Sequence, residues 1–104
     1  RIVTNHDLAA IMDTSHEWIV ERTGIHQRHV AAENELTSDL AVQAARQALE
    51  RSGITAEKID LIVIATTTAD DTFPAAAVTV QEKLGASQAF AFDVQAVCSG
   101  FVYA

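Results

Sequence analysis

The chain has 104 residues, 49% of them hydrophobic, a formal net charge of −7 at pH 7 and a single cysteine. The negative charge argues against a general grip on the phosphate backbone of nucleic acid, which needs clustered Lys and Arg, and the sequence has no apolar run of about 18 residues that would predict a membrane span. One cysteine excludes an internal disulfide, and together these properties predict a cytoplasmic protein.

The first part of the chain predicts two short helices and an irregular or extended segment. We expect Asn5 to cap a helix that carries apolar residues as far as Met12. Ser15 is expected to cap a second helix, and Gly24 lies just past its end. Residues 25–31 are then predicted to be irregular or extended.

The strongest helix signal runs from a cap at Thr37 or Ser38 to about Ser52, where Gly53 ends it. An apolar row at helical spacing marks the face expected to pack on the core. Its residues are Leu40, Ala44 and Ala48, flanked by Ala41, Ala45 and Leu49. Such small side chains would let the helix lie close to a sheet.

The remaining pattern predicts two strands that alternate with helices. The β-branched run over residues 61–65 is typical of a strand buried on both faces, and residues 89–94 predict a second one. Between them Pro74 is well placed to begin a helix that ends at Gly85, and residues 99–104 open a further apolar helix. This order predicts an α/β fold with parallel strands and flanking helices.

No repeat or flexible linker divides the sequence, so we expect residues 1–104 to form part of one domain. The last helix stops inside its apolar run without a cap or stop signal. We therefore expect the chain to be a piece of a larger fold that is cut at its carboxyl end, with no second domain present.

Cys98 is the residue in this chain that is best suited to act as a reactive group. It is predicted to lie on a strand-to-helix turn at the carboxyl end of the sheet, where ligands of open α/β folds gather. Backbone N–H groups at such a turn favour a thiolate and can stabilise an oxyanion. The alternative is that a lone cysteine among apolar neighbours is simply a small buried hydrophobe.

Trp18 and Arg22 are four residues apart on a predicted helix and should share one face. An indole and a guanidinium there could stack on a flat aromatic ligand, and arginine also meets phosphate. The alternative is a core tryptophan beside a solvated arginine.

The four histidines are interpreted as surface or structural residues. His26 and His29 are close in sequence, but no cysteine or second histidine pair completes a zinc set, so we expect no metal site. The pair Asp70–Asp71 is interpreted as a solvated loop tip.

Three segments together resemble β-ketoacyl-acyl-carrier-protein synthase III, the condensing enzyme that starts type II fatty acid synthesis. They run over residues 13–25 (Asp-Thr-Ser-His-Glu-Trp-Ile-Val-Glu-Arg-Thr-Gly-Ile), 62–68 with Phe73-Pro74, and 92–101 (Phe-Asp-Val-Gln-Ala-Val-Cys-Ser-Gly-Phe). The resemblance covers essentially the whole chain and implies the first part of the amino-terminal half of a thiolase-like fold.

The resemblance implies a role for several residues. Cys98 would attack the thioester of a primer such as acetyl-CoA, and the acyl group would then be condensed with malonyl-acyl-carrier protein. Trp18 matches the position that stacks on the adenine of coenzyme A, while Arg22 and Thr14 match residues near the nucleotide. Phe73 matches a residue that reaches across a homodimer into the partner's acyl pocket. Acyl-CoA is a substrate in this scheme, and no cofactor is expected.

The sequence also departs from the pattern of the family. The family completes its site with a His and an Asn downstream of the cysteine, whereas every histidine here precedes Cys98, so the 104 residues alone are expected to be inactive. Ser99 stands where relatives often have alanine, which we expect to be harmless. Two alternatives stay open: a non-catalytic fragment or dimerisation piece, and an acyl-CoA-dependent ketosynthase of secondary metabolism.

Overall fold

The computed structural model describes residues 1–104, and the chain divides into two compact units, residues 1–34 and residues 35–104. The first unit contains two strands and two helices. They are β1 (Ile2–Thr4), α1 (Asn5–Ala9), α2 (His16–Thr23) and β2 (Gln27–His29). The second unit contains the parallel strands and the remaining helices. They are α3 (Thr37–Ser52), β3 (Leu61–Ala65), α4 (Ala76–Leu84), β4 (Phe90–Val94) and α5 (Gly100–Tyr103).

In the first unit, β1 and β2 pair antiparallel, with Ile2 opposite His29. The expected extended segment is confirmed as β2, but its partner β1 was not predicted, because three residues are too few for an alternating pattern. The helix α2 begins after Ser15, whose hydroxyl accepts a hydrogen bond from the Trp18 backbone, and it ends at Gly24 in the left-handed conformation, as predicted.

The predicted cap of α1 is wrong by one residue. Thr4 is the N-cap, and its side chain and the Asp7 carboxylate form a reciprocal capping box. Asn5 is instead fully buried and ties two segments together. Its amide donates to the Ile25 carbonyl at 2.7 Å and accepts from Arg28 at 2.7 Å. The helix also ends earlier than expected, at Ala9.

In the second unit, β3 and β4 pair in parallel, from Leu61 opposite Phe90 to Ala65 opposite Val94. The parallel α/β arrangement predicted from the sequence is therefore confirmed. The strands are half-buried or exposed along their length, so the prediction of burial on both faces is wrong for these residues. Each strand has only one paired neighbour here, which leaves each with an unpaired edge.

The helix α3 begins one residue earlier than predicted, since its N-cap is Leu36 and not Thr37 or Ser38. The Asp39 carboxylate accepts a hydrogen bond from the Leu36 backbone at 3.1 Å and an ion pair from Lys83 at 2.7 Å. The end of the helix at Gly53 is confirmed. Its first turn is thus held by a carboxylate and a lysine rather than by a hydroxyl cap.

The buried face of α3 is centred on Ser38 and Val42, with the flanking row half-buried, and not on the row around Ala44. Ser38 and Val42 are buried, whereas Leu40, Ala44 and Ala48 are exposed. The reason is that α3 packs against α4, and an apolar groove of about 420 Å³ separates it from β3. The buried apolar residues of the second unit gather on that helix pair and the turn after α4. They are Val42, Ala76, Ala77, Val80 and Ala86.

None of the helices is both long and apolar enough to cross a membrane.

Candidate active site at the carboxyl ends of the parallel strands

The carboxyl ends of β3 and β4 meet at one edge and open into a cleft of about 620 Å³. The Thr66 backbone donates to the Val94 carbonyl at 3.1 Å, so the two chain exits start side by side. The cleft is lined by the segment after β3 and by residues at the end of β4. They are Thr66, Thr67, Ala69, Asp70, Asp71, Thr72, Ala75, Asp93 and Gln95. The segment after β3 and Gln95, which leads to Cys98, therefore lie on the same cleft.

Cys98 lies on the turn that follows β4, three residues beyond Gln95, and is exposed. It is the middle residue of a single 3₁₀ turn, Val97–Ser99. An exposed thiol on a turn is accessible to a substrate. The alternative interpretation of Cys98 as a small buried hydrophobe is therefore wrong.

The backbone just before the cysteine is strained. Val97 has φ 48°, a left-handed conformation that a β-branched residue rarely adopts. Such a residue costs about 1–3 kcal/mol, and outliers of this kind cluster at functional sites. The strain therefore supports a special role for the turn that carries Cys98.

The start of α5 is held against the end of β3 by a glycine. Gly100 is buried, and a Cβ built on it would lie 3.0 Å from the Cβ of Ala65. This spacing is tighter than ordinary carbon–carbon contact at about 3.5–4.0 Å. Glycine at this position brings the backbone after Cys98 into direct contact with the neighbouring strand.

Two aspartates fix the walls of the cleft, and the sequence reasoning missed this role. The Asp93 carboxylate accepts hydrogen bonds from the backbones of both Ala76 and Ala77 at 2.8 Å. Asp70 accepts from the Ser38 backbone at 2.9 Å, so it caps α3 and is not merely a solvated loop tip. The sequence did contain a signal for this role of Asp93, because an aspartate is disfavoured inside a strand and its presence there calls for a structural reason.

Phe73 lies in the segment between β3 and α4 and is 90% exposed. Its side chain is thus presented outward, next to the residues that line the cleft. Single exposed apolar side chains are common on protein surfaces, and Phe90 and Phe101 are similarly exposed.

Trp18, Arg22 and Thr14 come together in the first unit. The Arg22 guanidinium lies 4.5 Å from the centroid of the Trp18 ring, and Trp18 is 53% exposed. The shared face is confirmed, and Trp18 is not a core residue. Thr14 and Trp18 line a shallow cleft with Asp13 and Ser15. The Thr14 hydroxyl is buried and has no hydrogen-bond partner in the protein.

Three of the four histidines are also neighbours in the first unit. The rings of His6 and His16 stack with centroids 4.9 Å apart, and His26 is tilted against His16 at 5.5 Å. No group of histidine, cysteine and acidic side chains is arranged to hold a metal ion.

Comparison with known proteins places this fold in one class. Over 99–100% of its length the chain superimposes on 3-oxoacyl-acyl-carrier-protein synthase III from Aquifex aeolicus (46% identity, TM-score 0.82) and on the priming β-ketosynthase of the R1128 polyketide pathway (38% identity, TM-score 0.82). It covers 33% and 31% of those two chains. The fold is therefore a part of the thiolase-like ketosynthase fold.

The sequence comparison is more specific. The chain is 64% identical over all 104 residues to proteins named β-ketoacyl-acyl-carrier-protein synthase III from Paramagnetospirillum magneticum and Caulobacter vibrioides. The resemblance to synthase III is thus confirmed over the whole chain, which spans about a third of the length of these relatives. No protein-family profile matches the chain.

Proposed function

We propose that the protein containing this chain is an acyltransferase that starts fatty acid synthesis by condensing an acyl-CoA primer with malonyl-acyl-carrier protein. The observation that carries the proposal is the exposed Cys98 on a strained turn at the end of β4, in a chain that is 64% identical to named synthases III. The thiol is accessible, and Gln95, three residues before it, lines a cleft large enough for a short acyl group.

The proposed reaction has two stages. The Cys98 thiolate attacks the thioester carbonyl of the primer, the C–S bond to coenzyme A breaks, and coenzyme A leaves as a thiolate that takes up a proton from solvent, which gives acyl-Cys98. Malonyl-acyl-carrier protein then loses carbon dioxide, and the resulting carbanion attacks the acyl carbonyl. The bond to the Cys98 sulfur breaks, so that a β-ketoacyl-carrier protein is released with the free thiolate.

The chain supplies the nucleophile but not the groups for decarboxylation. All four of its histidines precede Cys98, and the three that cluster lie in the first unit. We place the decarboxylating residues outside these 104 residues, in keeping with the share of the relatives that the chain spans. Accordingly, the second stage belongs to the whole protein, and the isolated chain is proposed to be inactive.

We propose that Trp18, Arg22 and Thr14 hold the nucleotide part of coenzyme A. Arg22 covers one face of the indole, and the exposed remainder of Trp18 can stack on adenine. The buried Thr14 hydroxyl has no partner in the protein, so it retains its hydrogen-bonding capacity beside the same cleft. Coenzyme A is a substrate in this scheme and is not a resident cofactor.

The partners follow from the same proposal. The active protein is a homodimer in which the exposed Phe73 enters the acyl pocket of the other subunit, and the second substrate is carried by acyl-carrier protein in the cytoplasm. The exposed ring of Phe73, beside residues that line the cleft, is free to make this contact.

A ketosynthase of secondary metabolism is the second candidate. The observation that favours it is the match to the priming β-ketosynthase of a polyketide pathway at 38% identity. The higher identity of 58–64% to proteins named synthase III favours the first candidate. Primer choice separates the two: acetyl-CoA is expected to be preferred by the first and a longer or branched acyl-CoA by the second.

Substitution of the cysteine tests the condensing activity. In the full-length protein, Cys98→Ala is expected to abolish both acylation by acetyl-CoA and condensation with malonyl-acyl-carrier protein, measured by mass spectrometry of the products. Ser99→Ala is the matched control on the same turn and should keep both activities. Condensation that persists in Cys98→Ala would refute the proposed function.

A truncated substrate tests the nucleotide site. Loss of one base–aromatic stack costs about 1–3 kcal/mol, so Trp18→Ala should raise the KM for acetyl-CoA by about fivefold to 150-fold. The KM for acetyl-pantetheine, which lacks the adenine nucleotide, should not change. An equal rise for both substrates would show that Trp18 acts through the fold and does not contact adenine.

A further inference from the structure

We propose that Asp93 is a positioning residue of the Cys98 site that sets which acyl chains the cleft accepts. This inference rests on the proposed function and concerns the wall of the same cleft. Asp93 lies on β4, five residues before Cys98, and both of its carboxylate oxygens are occupied by backbone N–H groups at the start of α4. Each oxygen accepts one of these hydrogen bonds, so the carboxylate holds the start of the helix.

The start of α4 depends on this carboxylate because nothing local replaces it. The N-cap residue is Ala75, whose side chain makes no capping hydrogen bond. Ala76 and Ala77 are 1% and 0% exposed, so water cannot reach their N–H groups if Asp93 withdraws. The carboxylate also suits the positive end of the helix dipole.

This contact fixes the cleft wall relative to the strand that leads to the cysteine. The segment over residues 66–75 is held to β4 at both ends, by Thr66 on the Val94 carbonyl and by α4 on Asp93. Its middle is held to α3, where Thr37 donates to the Thr68 carbonyl and the Ser38 backbone donates to Asp70. Most of the residues that line the cleft belong to this segment.

The geometry indicates that Asp93 positions the cleft wall and does not place the Cys98 thiol. Cys98 is placed by the turn after β4 and by Gly100 against Ala65, neither of which uses Asp93. Loosening the start of α4 should therefore move the cleft wall and leave the cysteine accessible. The expected consequence is altered discrimination between acyl chains, with the intrinsic reactivity of the thiol preserved.

The test compares full-length wild type with Asp93→Asn, Asp93→Glu and Asp7→Asn. Asparagine keeps the size of the side chain but turns a donor toward a helix N–H group. Glutamate keeps both oxygens and displaces them by one methylene. Asp7→Asn is the matched control, since Asp7 also supports a helix start with its carboxylate but lies on α1 in the first unit. Each protein is assayed for acylation of Cys98 by acetyl-CoA and by hexanoyl-CoA, and for alkylation by iodoacetamide.

We expect Asp93→Asn to change the ratio of the two acylation rates by about tenfold or more, because a misplacement of about 1 Å in a site can cost 10²-fold. Asp93→Glu should change the ratio in the same direction by less, while Asp7→Asn should keep the wild-type ratio. Alkylation should be unchanged in all three. A loss of folded protein lowers both acylation rates by the same factor and cancels in their ratio. A variant that only loses stability would therefore keep the wild-type ratio.

Three results would count against the proposal or its basis, and they are distinguishable. A wild-type ratio in the folded Asp93 variants, or failure of both to fold, overturns the positioning role, since the residue would then be structural. A fall in alkylation parallel to acylation also overturns it, because Asp93 would then act on the thiol itself. If wild type is not acylated at Cys98, the proposed function fails independently of Asp93.

Discussion

The contact between Gly100 and Ala65 gives a quantitative prediction for the turn that carries Cys98. In Gly100→Ala the new methyl would lie 3.0 Å from the Ala65 Cβ, about 0.5–1 Å inside ordinary carbon contact. Overpacking of this kind typically costs about 1–3 kcal/mol. Gly100 has φ −55° and ψ −35°, so its backbone suits alanine, and a compatible Gly→Ala change returns about 0.4–1 kcal/mol. The net expectation is a destabilisation of roughly 0–2.6 kcal/mol.

A double-mutant cycle isolates the overlap from the other effects. Ala65→Gly removes the methyl that the new side chain meets, and alone it should cost about 0.5–1 kcal/mol because glycine is unfavourable in a strand. In the double variant the overlap is gone, so the two costs should not add. The free energy of unfolding of the full-length protein, measured in urea for all four proteins, should show a coupling of about 1–3 kcal/mol.

Additivity within about 0.3–0.5 kcal/mol would refute the reasoning, because it would mean that the two Cβ positions do not meet. If Gly100→Ala were stabilising and the two free-energy changes were additive, the start of α5 would have space for a methyl group. In that case the glycine would not be needed to hold the backbone after Cys98 against β3.

Three further predictions concern other parts of the chain. Hydrogen bonds from Lys83 and the Leu36 backbone hold the pKa of Asp39 below its ordinary value of 3.8. The stability that these bonds contribute is therefore present above pH 3.8 and is lost as the pH falls through the lowered pKa. Asp39→Asn should make the free energy of unfolding less sensitive to acid below about pH 4, and an unchanged acid profile would contradict this. Asn5→Ala leaves the Ile25 carbonyl without its buried partner and should lower the free energy of unfolding by about 1–3 kcal/mol, whereas an effect near zero in urea titrations would show that water replaces the amide. Phe73→Ala should change the preference between short and long acyl-CoA while Cys98 alkylation stays the same, and an unaltered preference would count against a place for Phe73 in an acyl pocket.

Much of the fold of the second unit could be predicted because its signals are local. The strands β3 and β4 follow from short apolar runs, and the helix ends at Gly53 and Gly85 follow from glycines in the left-handed conformation. The same holds for Ser15 at the start of α2. Each of these features needs only a few neighbouring residues to determine it.

Features that depend on distant residues could not be predicted in this way. Asn5 has the side chain of a helix cap, yet it is buried by partners 20 and 23 residues away. The core face of α3 is set by its packing on α4, so the apolar row at Leu40 and Ala44 gave the wrong face. The spacing of apolar residues does not determine which element a helix packs against.

The candidate site was predictable in its position and less so in its supports. The parallel pair brings the ends of β3 and β4 together, and Cys98 lies on the turn that the sequence indicated. The carboxylate of Asp93 bridges from a strand to a helix 16 and 17 residues earlier. No local pattern reports such a bond, although an aspartate within an apolar strand is a reason to look for one. The roles assigned to Trp18 and Phe73 stay predictions.

The central claim is that Cys98 becomes acylated by a coenzyme A thioester. The most direct measurement is mass spectrometry of the peptide that contains Cys98, taken from the full-length protein after incubation with acetyl-CoA and again after treatment with hydroxylamine. The account predicts one acetyl group on that peptide, which hydroxylamine removes because it is a thioester. An unmodified Cys98 peptide, or an acetyl group that resides elsewhere or resists hydroxylamine, would contradict the claim.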